Sequence, residues 1–89
     1  MVAWGEKVSD IADYTLLTRA GCHLCEEFLE TLREHGPEIA ALVTIADVDS
    51  RSDWQQRFGL RVPVLIDRNG AVLAEGMLDA ERIKQFDSD

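Results

Sequence analysis

The chain has 89 residues, 46% of them hydrophobic and 29% charged, and carries a formal net charge of −8. That is enough for one domain with one core, and the acidic balance excludes nucleic acid and anionic membranes as partners, because both require a positive footprint. No apolar run nears the ~18 residues of a membrane-spanning helix, and residues 1–7 lack the basic start and apolar core of a signal peptide, so a cytoplasmic location is predicted.

Residues 1–13 give a weak helical hint and read as an N-terminal extension to a domain over 14–86, with 87–89 as a frayed tail. Tyr14 to Thr18 reads as a short strand of aromatic, β-branched and leucine residues. Arg19-Ala20-Gly21 breaks it, and from Cys22 the period becomes helical. Cys25, Phe28, Leu29 and Leu32 recur at the spacing of one buried face, and Gly36-Pro37 is a stop signal. Residues 41–48 form a second strand candidate whose apolar residues do not alternate, as expected of a strand covered on both faces. Ser50 is placed to cap a short helix, with Asp53 in the capping-box position and Trp54 and Phe58 on one face.

Residues 62–66 form a third strand with Pro63 near its start, where no ladder donor is required. Asn69-Gly70 is a tight-turn signal leading to a fourth strand over 71–75. Asp79 can cap a last helix, with Leu78 and Ile83 at hydrophobic-staple spacing. The order β-α-β-α-β-β-α predicts an α/β fold. Its strand–helix–strand start implies a parallel pair, and its hairpin adds antiparallel strands, giving a four-stranded mixed sheet flanked by helices.

The chemistry is concentrated in Cys22-His23-Leu24-Cys25. Two cysteines are too few for a disulfide-stapled scaffold, but their spacing puts one sulfur a single helical turn from the other. A thiolate attacks a disulfide, and a second thiol must then resolve the mixed disulfide. Cys22 lies at the helix start, where free N–H groups and the macrodipole favour an anion, and Cys25 lies on the buried face. Cys22 is therefore expected to attack and Cys25 to resolve. Arg19 and His23 supply nearby positive charge, while Glu26 and Glu27 oppose it. A zinc site needs about four protein ligands. Only His23 and His35 could join the cysteines, neither at finger-like spacing, so no metal is assigned. A cluster shared between two chains needs fewer ligands per chain, and a non-catalytic binding module or cluster carrier is the alternative reading.

The ordered set Thr18-x-x-x-Cys22-x-x-Cys25, then Arg57-Phe58-Gly59-Leu60-Arg61-Val62-Pro63, then Glu75-Gly76-x-x-Asp79 resembles glutaredoxins and glutaredoxin-like proteins of the thioredoxin fold over about residues 14–86. A short bacterial glutaredoxin-like subgroup is the nearest match. The resemblance implies a thioredoxin-like fold and disulfide reduction through a mixed disulfide, with Cys22 and Cys25 catalytic. It implies a cis Val62–Pro63 bond with the Val62 backbone pairing to substrate, a basic residue at Arg19, and glutathione contacts at Gly76 and Asp79. Three departures stand out. His23-Leu24 replaces Pro-Tyr between the cysteines, Arg61 replaces Thr before Val-Pro, and Glu75-Gly76 replaces a glycine pair. Glutathione has two carboxylates, which Glu75 would repel and Arg61 could attract. The expected partners are therefore a disulfide-containing protein or small molecule and a reducing donor, either glutathione as co-substrate or a dithiol reductase system. No tightly bound cofactor is expected, and the protein is expected to be a monomer.

Overall fold

The computed structural model describes residues 13–87. In chain order the elements are β1 (Tyr14–Thr18), α1 (His23–His35), α2 (Pro37–Ala40), β2 (Val43–Asp47), a 3-10 turn (Val48–Ser50), α3 (Ser52–Phe58), β3 (Val64–Asp67), β4 (Val72–Glu75) and α4 (Ala80–Asp87). The expected extension falls in residues 1–12, outside the described residues except for Asp13, which pairs with Arg68. Of the expected tail, Asp87 is the last residue of α4, and 88–89 lie outside the described residues.

The sheet order is β2-β1-β3-β4. β1 runs parallel to β2 and antiparallel to β3, and β3 and β4 are antiparallel. Alternation along β1 divides the core. Leu17 faces Val48, Phe58, Val64 and Ile66 on the α3 side, while Leu16 faces Phe28, Leu65 and Ala74 on the α1 side. Leu32 of α1, Ile39 of α2 and Ile83 of α4 form a third cluster behind them. This is the mixed four-stranded thioredoxin-like α/β architecture expected from the sequence.

Several local expectations are corrected. β2 is not covered on both faces. It is the edge of the sheet with one neighbour, and its Ile45 is 52% exposed, while the fully buried Val48 belongs to the 3-10 turn that follows. Ser50 does not cap α3. Its hydroxyl donates to the Asp47 carbonyl at 2.6 Å within the 3-10 turn, so α3 starts at Ser52 behind Arg51, which provides no side-chain cap. Asp53 instead accepts two hydrogen bonds from Arg51, which hold its carboxyl below the ordinary range. The β3–β4 hairpin does not use a two-residue turn. Asp67 N–H bonds to the Ala71 carbonyl and Gly70 N–H to the Asp67 carbonyl, which leaves a three-residue loop in which only Gly70 has positive φ. β3 begins at Val64 rather than 62, since Pro63 has no N–H to give the ladder.

Two expectations hold in detail. Asp79 caps α4, its Oδ1 accepting the Arg82 N–H at 2.9 Å, and Leu78 packs with Ile83 as the staple. Between Leu65/Ala74 and Ile66/Val72 the β3–β4 register slips, which leaves Leu73 as a bulged residue. The Leu73 carbonyl is taken by Arg82 Nε at 2.8 Å.

Candidate redox site

The site is built where β1 stops. Cys22 N–H donates to the Arg19 carbonyl at 3.1 Å, closing a four-residue turn whose third position, Gly21, has φ 79°. That position of a type II turn needs positive φ, which glycine adopts without steric cost. The turn delivers Cys22 to the N-cap of α1 in extended conformation, and its Sγ accepts the Cys25 N–H at 3.1 Å. Sulfur thus occupies the place of the usual side-chain oxygen cap. Cys22 and Cys25 are joined as a disulfide, with Cα atoms 5.2 Å apart. Cys22 is half-buried, whereas Cys25 is 5% exposed on the core face with Phe28 and Leu32. The asymmetry arises because Cys22 stands at the open end of α1 while Cys25 lies on its core face.

The structure brings only some of the expected residues to the sulfurs. Arg19 lines the same cavity of about 240 Å³ as Cys22 and Cys25. Its guanidinium, however, donates to Asp49 from Nε at 3.0 Å and Nη2 at 2.9 Å, and to the Gly59 carbonyl from Nη1 at 2.7 Å. The Arg19 hydrogen bond holds the Asp49 carboxyl below its ordinary range and raises Arg19 further. The cation expected at Cys22 is thus shared with an anion, and it ties the cysteine turn to the 3-10 turn and the end of α3. His23 is exposed on the outer side of α1, with Nε2 2.9 Å from the Glu27 carboxylate.

Val64 pairs with Leu17, so Pro63 comes level with Thr18 and the loop before β3 emerges beside the cysteine turn. The Val62–Pro63 bond is cis. Pro63 is buried and its carbonyl accepts the Gly76 N–H at 2.9 Å. Gly76 is therefore held against the loop, and Asp79 serves α4 as its cap. No backbone hydrogen bond engages the N–H or C=O of Val62 among the described residues.

Arg61 and Glu75, which the sequence set against each other, form one ion pair. Nε of Arg61 donates to Oε2 at 3.0 Å and Nη2 to Oε1. This hydrogen bonding holds the Glu75 carboxyl below its ordinary range. The pair crosses from the loop before β3 to the end of β4.

Sequence reasoning missed Asp49 and Gly59 as partners of Arg19, and it missed the exposed apolar rim made by Ile45 in the cysteine cavity and by Leu60 and Met77 in the loops after α3 and β4. The available signal for the rim was an apolar residue in each of the two turns next to Val62–Pro63 and Gly76-x-x-Asp79, where a polar residue is the rule. Among the described residues, no group of three or more His, Cys, Asp and Glu side chains is placed to hold a metal ion.

Residues 13–86 match the family described as glutaredoxin-like domain (DUF836). The chain belongs to this family. Its fold is shared with the X-ray structure of the X. campestris protein XcR50, at 31% identity and a TM-score of 0.69, covering 85% of this chain and 97% of that one. It is also shared with the solution NMR structure of protein Ne2328 from Nitrosomonas europaea, at 27% identity and a TM-score of 0.70, covering 83% and 88%. No curated protein matches the sequence. As a glutaredoxin-like domain with its CxxC pair at a helix start, the protein has the components of a redox centre. No described helix is long and apolar enough to cross a membrane.

Proposed function

We infer that this glutaredoxin-like protein is a thiol–disulfide oxidoreductase that reduces protein or low-molecular-weight disulfides. The observation that carries the reading is the accessible cysteine at the N-cap of α1, bonded to a buried cysteine one turn later. A thiol or dithiol donor first reduces the Cys22–Cys25 bond. The Cys22 thiolate then attacks one sulfur of the substrate disulfide, forming a Cys22–substrate bond and expelling the other sulfur as a thiolate. Cys25, deprotonated, attacks Cys22 Sγ. The intramolecular disulfide re-forms and the second substrate sulfur leaves. Two electrons and two protons pass from the dithiol to the substrate, so no bound cofactor is required.

The protein's own contribution is electrostatic and positional. The Cys25 N–H, 3.1 Å from Cys22 Sγ, and the first-turn dipole face the sulfur that carries negative charge when Cys22 attacks the substrate. Resolution needs no large motion, because the Cα atoms already stand 5.2 Å apart. Arg61, engaged by Glu75, offers little to a carboxylate ligand. A dithiol reductase system is therefore proposed to serve at least as well as glutathione, in a reducing compartment such as the cytoplasm.

The test is trapping with Cys25→Ser, which should collect disulfide-linked partners on Cys22, whereas Cys22→Ser should collect none and reduce nothing. Equal trapping by both variants, or full reductase activity in Cys22→Ser, would refute the reading.

A further inference from the structure

Five large hydrophobic side chains are exposed among the described residues: Leu24, Leu42, Ile45, Leu60 and Met77. Ile45 lines one cavity with both cysteines, and Leu24 and Met77 line a second cleft along α1. Helix α1 forms a ridge that starts at Cys22, with a cleft on either side. One cleft, the cavity of about 240 Å³ holding both cysteines, is walled by Leu16, Leu29 and Ile45. The other, of about 140 Å³, is walled by Leu24, Phe28, Met77 and Leu78 together with Glu27 and Thr31. Leu60, 100% exposed, stands in the loop that Arg19 holds through the Gly59 carbonyl. Met77 is 82% exposed immediately after Gly76, whose N–H is bound to Pro63.

The charged groups near these side chains are largely paired with each other: Arg19 with Asp49, His23 with Glu27, and Arg61 with Glu75. Beside these pairs stand apolar surface, the acidic Glu26, itself 4.0 Å from His23 Nδ1, and the unengaged backbone of Val62. A small dianionic disulfide fits this poorly. Glutathione disulfide would bring carboxylates to a chain of net charge −8 and leave both clefts empty.

We propose that the two clefts on either side of the first turns of α1 are side-chain subsites for an extended polypeptide whose disulfide-bonded cysteine is flanked by apolar residues, and that Leu24, Ile45 and Met77 set this preference. The proposal rests on the oxidoreductase reading and names its substrate class. The polypeptide crosses the start of α1 with its cysteine sulfur at Cys22, one apolar neighbour in each cleft, and its backbone beside Val62. The chemistry is the two-step exchange already described. The substrate disulfide gains two electrons from the Cys22/Cys25 dithiol, and an external dithiol donor restores it.

The test uses the full chain, reduced and in excess donor, with four disulfides. Three are symmetrical peptide dimers carrying Leu-Cys-Leu, Ser-Cys-Ser and Glu-Cys-Glu. The fourth is hydroxyethyl disulfide, which is too small to reach the clefts and reports the exchange step alone. A filled apolar pocket is worth about tenfold in kcat/KM for one well-placed group. The leucine peptide is therefore expected to exceed the serine peptide by about tenfold or more, and the glutamate peptide to be slowest. Met77→Ser and Ile45→Ser should each reduce the leucine-to-serine ratio, whatever their effect on absolute rate. Equal rates for all three peptides, with hydroxyethyl disulfide still reduced, overturn the proposal and leave the oxidoreductase reading standing. An unchanged ratio in both variants also overturns it. Failure to reduce any of the four removes the oxidoreductase reading and this proposal with it.

Discussion

Asp79 is the residue for which the family resemblance and the structure give different roles, and replacing it separates them. In the structure its Oδ1 accepts the Arg82 N–H at 2.9 Å and its carbonyl accepts the Ile83 N–H at 3.2 Å. Only the first contact is lost in Asp79→Ala. Exchanging an Asp cap for Ala costs about 1 kcal/mol, within a range of roughly 0.5–2. Helix α4 has eight residues, too few to persist without packing, so its stability comes from Ile83, 1% exposed, and the Leu78 staple together with the cap. Because Ile83 sits in a cluster with Leu32 and Ile39, fraying of α4 opens the core and the cap loss should reach global stability. For a domain of this size about 1 kcal/mol lowers Tm by about 4–8 °C. Asp79→Asn keeps the acceptor oxygen and should cost only a few tenths of a kcal/mol. The assay is urea and thermal unfolding by circular dichroism at pH 7, with glutathione turnover measured on both variants. If Asp79 is a cap alone, Ala lowers Tm, Asn barely does, and neither changes KM for glutathione once the protein is folded. An unchanged Tm in Asp79→Ala would refute the capping argument, and a raised KM in Asp79→Asn would restore the ligand role.

In the reduced protein, iodoacetamide should modify Cys22 before Cys25, because Cys25 is 5% exposed; peptide mass mapping at partial reaction reads the order, and the reverse order would exchange their roles. Glu75 has a depressed carboxyl pKa in the folded state because Arg61 donates to it, so its stabilisation is present above the unfolded carboxylate pKa and fades as pH falls through the folded one. Wild type should accordingly lose more of its urea midpoint between pH 7 and pH 3 than Glu75→Gln does, and parallel losses would count against the pair. A Cβ added at the buried Gly36 meets Ile83 Cγ2 at 2.9 Å, so Gly36→Ala should destabilise by about 1–3 kcal/mol through overpacking, read by urea unfolding. Phe28→Ala removes the side chain that seats α1 on Leu16 and Leu65 and should cost about 3–5 kcal/mol, leaving a protein with little cooperative unfolding.

What could be read from the sequence follows the range of the interactions concerned. β1 and the body of α1 were legible because their signals are local: β-branched and aromatic residues in one, an i, i+3, i+4, i+7 face in the other. The helix start at Cys22 is legible from the break at Arg19-Ala20-Gly21, while its role as the N-cap appears only in the structure. Gly36-Pro37 reads as a stop, although proline at N1 also starts helices, and Pro37 opens α2 at once. Ser50 departs from the expected cap because the Asp47 carbonyl lies within reach of it, and a hydroxyl takes the nearest geometry rather than the one a motif names. The pairing of Arg61 with Glu75 spans 14 residues and appears only once the β3–β4 register places Glu75 opposite Val64. Arg19 and Asp49 are 30 residues apart, on the turn after β1 and the turn after β2, and parallel strands bring such turns to the same end of a sheet. The apolar rim was legible only as single residues until the fold gathered them.

The bulge at Leu73 also bears on the open margin of the sheet. β4 ends the sheet, and an open strand edge is a template on which a neighbouring molecule can add a strand. Here the edge is four residues long and its register slips in the middle. One of its carbonyls is occupied by Arg82, which presents a cation to anything approaching. A second copy laid along β4 would find its hydrogen-bond spacing broken after two residues and a guanidinium in its path. The same arginine that fastens the last helix to the sheet thereby takes one of the margin's acceptors out of use as a template for a further strand.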